Sequence, residues 1–120
     1  MRRGNLFVVS GPSGAGKGTL VARLVREVPD AWVSVSVTTR APRVGEVDGV
    51  HYRFATDEEF DRLVEEDGLL EWATYGGNRY GTPRADVEEH IARGDQVILE
   101  IDVQGGFQVR EKMPSAHLVF

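Results

Sequence analysis

Apolar positions change period several times along the chain, and each change marks an element. Leu6-Phe7-Val8-Val9 is a continuous apolar run, the pattern of a buried strand. Leu20, Val21, Leu24, Val25 and Val28 then recur at helical spacing, which predicts a helix from about Lys17 to Val28, ended by Pro29-Asp30. Trp32-Val33-Ser34-Val35-Ser36-Val37 alternates and reads as one half-buried strand, followed by an extended loop through Thr38 to Gly49 and a short strand at His51-Tyr52-Arg53-Phe54. Thr56 and Glu59 have capping-box spacing at the head of a helix whose buried side is Phe60, Leu63 and Val64, with Gly68 as its stop. Leu69 to Tyr75 and Arg79 to Thr82 are strands joined by a hairpin turn at Gly76-Gly77-Asn78. Pro83, Val87, Ile91 and Gly94 outline another helix. Val97 to Ile101 is a near-continuous apolar run ending in Asp102; Gly105-Gly106 is a turn or loose helix start, Phe107 to Met113 a weak helix, and Ala116 to Phe120 a last strand. The sum is an α/β fold: a parallel core formed by 1–32 and 95–120, with a unit inserted at 33–94 whose β-rich part runs to about residue 82.

Between the first strand and the first helix lies Gly11-Pro12-Ser13-Gly14-Ala15-Gly16-Lys17-Gly18-Thr19. This is a P-loop in its proper strand–turn–helix context. Glycines let successive backbone N–H groups converge on phosphate oxygens, the helix N-terminus adds its dipole, and Lys17 supplies a point charge for the β- and γ-phosphates. An ordinary glycine-rich turn would explain the glycines but not Lys17. The hydroxyl expected directly after the lysine is replaced by Gly18, so Thr19, one position later, is the candidate contact to magnesium or phosphate. Ligands of parallel sheets bind at the carboxyl ends of the strands, where both this loop and Asp102 fall.

Composition narrows the partners. A chain of 120 residues with 41% hydrophobic and 28% charged residues reads as a single ordinary soluble domain. Its net charge of −5 supplies no general basic face for nucleic acid or anionic membrane. The absence of cysteine excludes a thiolate metal site and a disulfide framework and fits the cytoplasm. The first apolar run is too short for a signal-peptide core or a transmembrane span.

The arginines are grouped instead. Arg40 and Arg43 flank Pro42 in the loop, with Tyr52 and Tyr80 on nearby strands; two guanidinium forks and two phenols suit a single phosphate group. Glu71, on a strand after a leucine pair, offers two acceptors to the N1–H and 2-amino group of guanine, a donor pair that adenine lacks. Ser36 and Thr82 add hydroxyls for the same base. Each of these residues taken alone reads as a surface charge or a core ring, and the argument rests on the set.

At this point the chain resembles the guanylate kinase family. The resemblance is carried by the glycine-rich loop, by Ser36-Val37-Thr38-Thr39-Arg40-Ala41-Pro42-Arg43 through Gly45-Glu46 and Asp48-Gly49 to Tyr52, by Glu71-Trp72-Ala73 through Gly77-Asn78 to Tyr80-Gly81-Thr82, and by Leu99-Glu100-Ile101-Asp102-Val103-Gln104-Gly105. These motifs follow family order over almost the whole chain. The resemblance implies a P-loop NTPase-type three-layer core with an inserted, mixed, β-rich domain that binds a nucleoside monophosphate. It implies Arg40, Arg43, Tyr52 and Tyr80 as ligands of the GMP phosphate, Ser36, Glu71 and Thr82 as ligands of guanine, and Glu100 and Asp102 as acids beside the acceptor and the metal. Gly11, Ser13, Gly14, Ala15, Gly16, Lys17, Gly18 and Thr19 would hold ATP, with Lys17, Arg40, Arg43 and Asp102 carrying the chemistry and Thr19 and Asp102 holding Mg²⁺. Thr82 stands where the family often has serine, a change that keeps the hydroxyl.

The implied reaction is ATP + GMP giving ADP + GDP in the cytoplasm, without nucleic acid or membrane. Family members continue past this chain's end with a mobile lid and further core, so the expectation is a truncated guanylate kinase of low or no activity, with an exposed core edge open to homodimerisation. Other readings are a kinase for another small phosphate acceptor, a non-catalytic guanylate-kinase-like module that binds phosphorylated peptides, and an inactive fragment that binds GMP.

Overall fold

The computed structural model describes residues 3–10 and 17–119, the side chain of Lys17 excepted. In chain order the elements are β1 (Asn5–Ser10), α1 (Lys17–Glu27), β2 (Ala31–Val33), β3 (Val37–Thr38), β4 (Arg53–Phe54), α2 (Asp57–Glu65), β5 (Leu69–Tyr75), β6 (Asn78–Pro83), α3 (Arg84–Ala92), β7 (Gln96–Ile101), α4 (Val103–Lys112) and β8 (His117–Val119). The chain divides into two units, Met1–Ser34 with Asp86–Phe120, and Val35–Ala85.

The first unit is built on a parallel sheet in the order β2-β7-β1-β8. Its strands read as apolar runs because both faces are covered. Val9 and Ile98 point to one face, where they pack with Val21 of α1 and are flanked by Leu24, Ala31 and Val33. Val8 and Leu118 point to the other, against α4. There a Cβ on Gly106 would stand 2.8 Å from Ser10 Oγ and 3.5 Å from Val8 Cγ1, so only glycine lets the helix approach this closely. Trp32 on the same face stacks on His90 of α3, ring centroids 3.5 Å apart, and His90 Nδ1 lies 2.7 Å from Asp95 Oδ2. Helices on both faces make the three-layer α/β core. Ser10 pairs with Ile101, so β1 and β7 end level.

The second unit is a mixed sheet in the order β4-β3-β6-β5 with α2 on one face. Phe60 of α2 is fully buried with Val37 and Leu69, flanked by Ala55 and Leu63. α2 starts with a complete capping box: Thr56 Oγ1 accepts from Glu59 N at 3.1 Å and Glu59 Oε1 from Thr56 N at 2.9 Å. β5 and β6 form a hairpin whose two loop residues, Gly76 and Gly77, have φ of +57° and +82°, as a type I′ turn requires.

Several local expectations are corrected. The alternating run Trp32–Val37 is not one strand: β2 joins the core sheet, residues 34–36 belong to no strand, and β3 joins the second sheet. Alternation reports one buried face but cannot report which sheet buries it. Pro83 ends β6, paired with Leu69, rather than starting a helix. Val64 is exposed, because Phe60 and Leu63 suffice to cover the sheet. The helix placed at Phe107 begins at Val103, N-capped by Asp102, so Gly105 and Gly106 belong to the helix rather than to a turn, and at Gly106 the missing side chain serves close packing.

Candidate functional site

The residues expected at the phosphate acceptor lie in the second unit. In that sheet Val37 pairs with Gly81 and Thr38 with Tyr80, while Glu71 pairs with Thr82. Side chains alternate, so Val37 and Trp72 turn toward α2 whereas Tyr80, Thr82 and Glu71 share the opposite face. Thr82 Oγ1 donates to Glu71 Oε1 at 2.7 Å, and both residues are buried. A carboxylate held this way at a sheet surface is a built acceptor, not a solvated charge. Ser36 lies one residue before β3, half-buried, its carbonyl accepting from Arg53 N at 2.8 Å.

Arg40, Tyr52 and Tyr80 form one cluster. The Arg40 guanidinium carbon lies 5.1 Å from the Tyr52 ring centroid, and the Tyr52 and Tyr80 rings meet edge to face at 5.9 Å. Arg40 Nη1 and Nη2 donate to Glu46 Oε1 and Oε2, each at 2.9 Å, and Nη1 also donates to Ala41 O at 3.1 Å. Arg43 N donates to the same Glu46 Oε1 at 2.8 Å, while the Arg43 side chain is exposed. The Arg40 fork, then the Arg43 amide, hold the Glu46 carboxyl down at about 2, and Glu46 in turn raises the pKa of Arg40.

Arg40 is placed through its backbone. Its N–H donates to Thr38 Oγ1 at 3.1 Å; Thr38 Oγ1 donates to Arg79 O at 3.0 Å, and Arg79 N donates to Thr39 Oγ1 at 2.9 Å. The Arg79 side chain pairs with Asp61 at 2.6 Å and Asp57 at 3.1 Å on α2 and lies over Phe60, 4.6 Å from its centroid. The carboxylates of Asp61 and then Asp57 raise its pKa. Thr38 and Glu46 stood in the family motif without an assigned role, and Arg79 was placed only at the start of a strand. The signal for Glu46 was its place in that motif, three residues after Arg43.

In the first unit, Gly11, Ser13, Gly14, Ala15 and Gly16 lie outside the described residues, as does the Lys17 side chain. Gly18 and Thr19 form the first turn of α1, and Glu100 Oε1 lies 3.8 Å from where a Gly18 Cβ would stand. Asp102 caps α4, its Oδ1 accepting from Gly105 N at 2.7 Å. Thr19, Glu100 and Asp102 offer hard oxygens of the kind magnesium takes, so the donor chemistry fits that ion. Among the described residues no helix is long and apolar enough to cross a membrane.

A parallel α/β core whose first strand leads through a glycine-rich stretch into a helix, with a mixed-sheet unit inserted, places the chain in the P-loop class of nucleotide-binding proteins. The family model described as "Guanylate kinase" matches residues 3–120. The chain therefore belongs to the guanylate kinase family. It is 58% identical to a guanylate kinase of Streptomyces coelicolor over 118 residues, covering 98% of this chain and 60% of the relative. It is 61% identical to that of Thermobifida fusca over 115 residues, covering 96% and 59%. The crystal structure of guanylate kinase from Anaplasma phagocytophilum superposes with a TM-score of 0.76 at 39% identity, covering 99% of this chain and 60% of that one. The chain thus spans about three fifths of the length of these relatives.

Proposed function

We propose that this chain binds GMP in its inserted unit and ATP on its glycine-rich loop, and takes part in transfer of the γ-phosphoryl group from ATP to GMP. The observation that carries the reading is the pairing of two preformed sites on one small sheet: the Arg40–Tyr52–Tyr80 cluster, with Arg43 beside it, for a phosphate, and the Glu71–Thr82 pair, with Ser36, for guanine. In the step, a GMP phosphate oxygen forms a bond to the γ-phosphorus while the bond from that phosphorus to the β,γ-bridging oxygen breaks, leaving ADP and GDP. The acceptor phosphate, with a second pKa of about 6, is largely dianionic near neutral pH, so no base is required. The difficulty is bringing two polyanions together. Lys17, Arg40, Arg43 and the loop amides neutralise that charge and hold the acceptor for attack. Thr19 and Asp102, with Glu100 beside them, would hold Mg²⁺, which screens phosphate charge when bound.

Transferring oxygens gather charge that these residues only partly offset, and a single arginine aimed at that charge is worth about 10³ to 10⁵ in rate. We therefore expect slow turnover from these 120 residues. A homodimer through β8, an edge strand of the described core sheet, belongs to the same reading, as do a cytoplasmic setting and the absence of a nucleic-acid or membrane partner. Calorimetric titration of the chain with GMP, and with AMP as control, tests the central claim. Saturable GMP binding with little response to AMP is expected; equal binding of both, or of neither, would refute it. Light scattering after size exclusion tests the dimer.

A further inference from the structure

We infer that Glu46 is a positioning residue of the phosphate site, holding the Arg40 guanidinium beside Tyr52 and fixing the Arg43 backbone, with part of the guanidinium's donor set still to give. The inference rests on the acceptor reading above and adds to it a residue that touches neither base nor phosphate.

A carboxylate beside an anion site is, on charge alone, a defect, since it repels the phosphate. Its place here is explained by geometry. Residues 41–45 are all exposed, and Val44 is fully so; apolar packing does not shape this loop. Hydrogen bonds to Glu46 do. Its Oε1 accepts from Arg40 Nη1 and Arg43 N, its Oε2 accepts from Arg40 Nη2, and its own N–H donates to Arg43 O at 3.0 Å. These four bonds close the 40–46 segment into a ring, with Gly45 at φ +87° supplying a conformation that L side chains rarely adopt.

Donor counting shows what the ring achieves. A guanidinium has five N–H groups. Glu46 and the Ala41 carbonyl take both on Nη1 and one on Nη2. One Nη2–H and the Nε–H are left for a phosphate oxygen. Without Glu46, Arg40 would sample many rotamers, and its long side chain would have to be ordered by the ligand at the expense of affinity.

Charge and geometry predict opposite signs. If the carboxylate acts only as a charge, its removal tightens GMP binding; if it positions Arg40, its removal weakens it. The test titrates the wild-type chain, Glu46→Gln and Glu46→Ala with GMP, and with guanosine, which keeps the base and lacks the phosphate. GMP affinity is expected to fall roughly 10- to 100-fold in Glu46→Ala, the range for a lost charge-assisted bond, and less in Glu46→Gln, which keeps one acceptor. Guanosine affinity is expected to hold within about twofold, because Glu71 and Thr82 are untouched. Unchanged or tighter GMP binding overturns the inference, as does an equal loss of guanosine, which marks general damage to the unit. If wild type fails to prefer GMP over AMP, the acceptor reading falls and this inference with it; if wild type keeps that preference and Glu46 has no effect, only the inference falls.

Discussion

Glu71→Gln tests the proposed guanine site most directly, because it changes one atom's chemistry and almost no volume. Glu71 is 8% exposed, and one of its oxygens already accepts from Thr82 at 2.7 Å. In the proposed reading this carboxylate presents acceptors to both N1–H and the 2-amino group of guanine. Glutamine must choose. With its oxygen toward Thr82, the amide N–H₂ meets guanine donor against donor; with its nitrogen toward Thr82, that hydroxyl must turn round and only a neutral oxygen is left for the base. A lost charge-assisted bond costs about 1.5–3 kcal/mol and an unpaired buried donor a further ~1–3 kcal/mol. Together they correspond to a fall on the order of 10² to 10⁴ in GMP affinity. AMP behaves differently. Adenine N1 is an acceptor, so the new amide N–H can donate to it, and AMP binding holds or improves. The measurement is the ratio of GMP to AMP affinity by calorimetry in wild type and variant, with thermal unfolding as a check on the fold. A ratio that stays within about threefold of wild type would show that Glu71 does not read the base, whatever the change in either affinity alone.

Three further outcomes follow from the same geometry. Phe60→Ala removes the fully buried ring that meets Trp72 edge to face and carries the Arg79 guanidinium, and should destabilise the inserted unit by about 3–5 kcal/mol; denaturant unfolding followed by tryptophan fluorescence measures it, and a loss below about 1 kcal/mol would contradict the packing described. The Glu46 carboxyl, held at about 2 against an ordinary 4.5, contributes stability that is full above the ordinary value and lost as pH falls toward 2. Melting curves of wild type and Glu46→Gln should therefore differ above pH 4.5 and converge toward pH 2, and a constant offset across that range would be inconsistent with the ion pair. Gly77→Ala forces an L residue into φ +82° and should cost about 1–2 kcal/mol, whereas Gly76→Asn suits the turn and should be nearly neutral; equal effects in thermal melts would argue against the type I′ assignment.

Much of the local structure was legible because it depends on neighbours in sequence. The capping box at Thr56 and Glu59, the Gly76-Gly77 hairpin and the apolar runs of β1 and β7 each rest on contacts a few residues apart or on burial of both faces. The candidate ligands were legible for a different reason. Arginine, tyrosine and glutamate in a fixed order between turn residues carry a chemistry that their types already restrict. What misled was alternation: Trp32 to Val37 satisfies one strand's pattern while serving two sheets.

The sequence by itself determined which residues carry charge, hydroxyl and backbone freedom, and hence the phosphate chemistry proposed for this member of the guanylate kinase family. Only the tertiary structure decided which of them act together. It joined Thr82 to Glu71 across a hairpin, brought Arg40 against Tyr52 and Tyr80, and assigned Glu46 to bind the arginine rather than solvent. Periodicity records burial, one residue at a time; the partner that a buried polar group finds is set by strand register and chain crossing, which no local pattern contains.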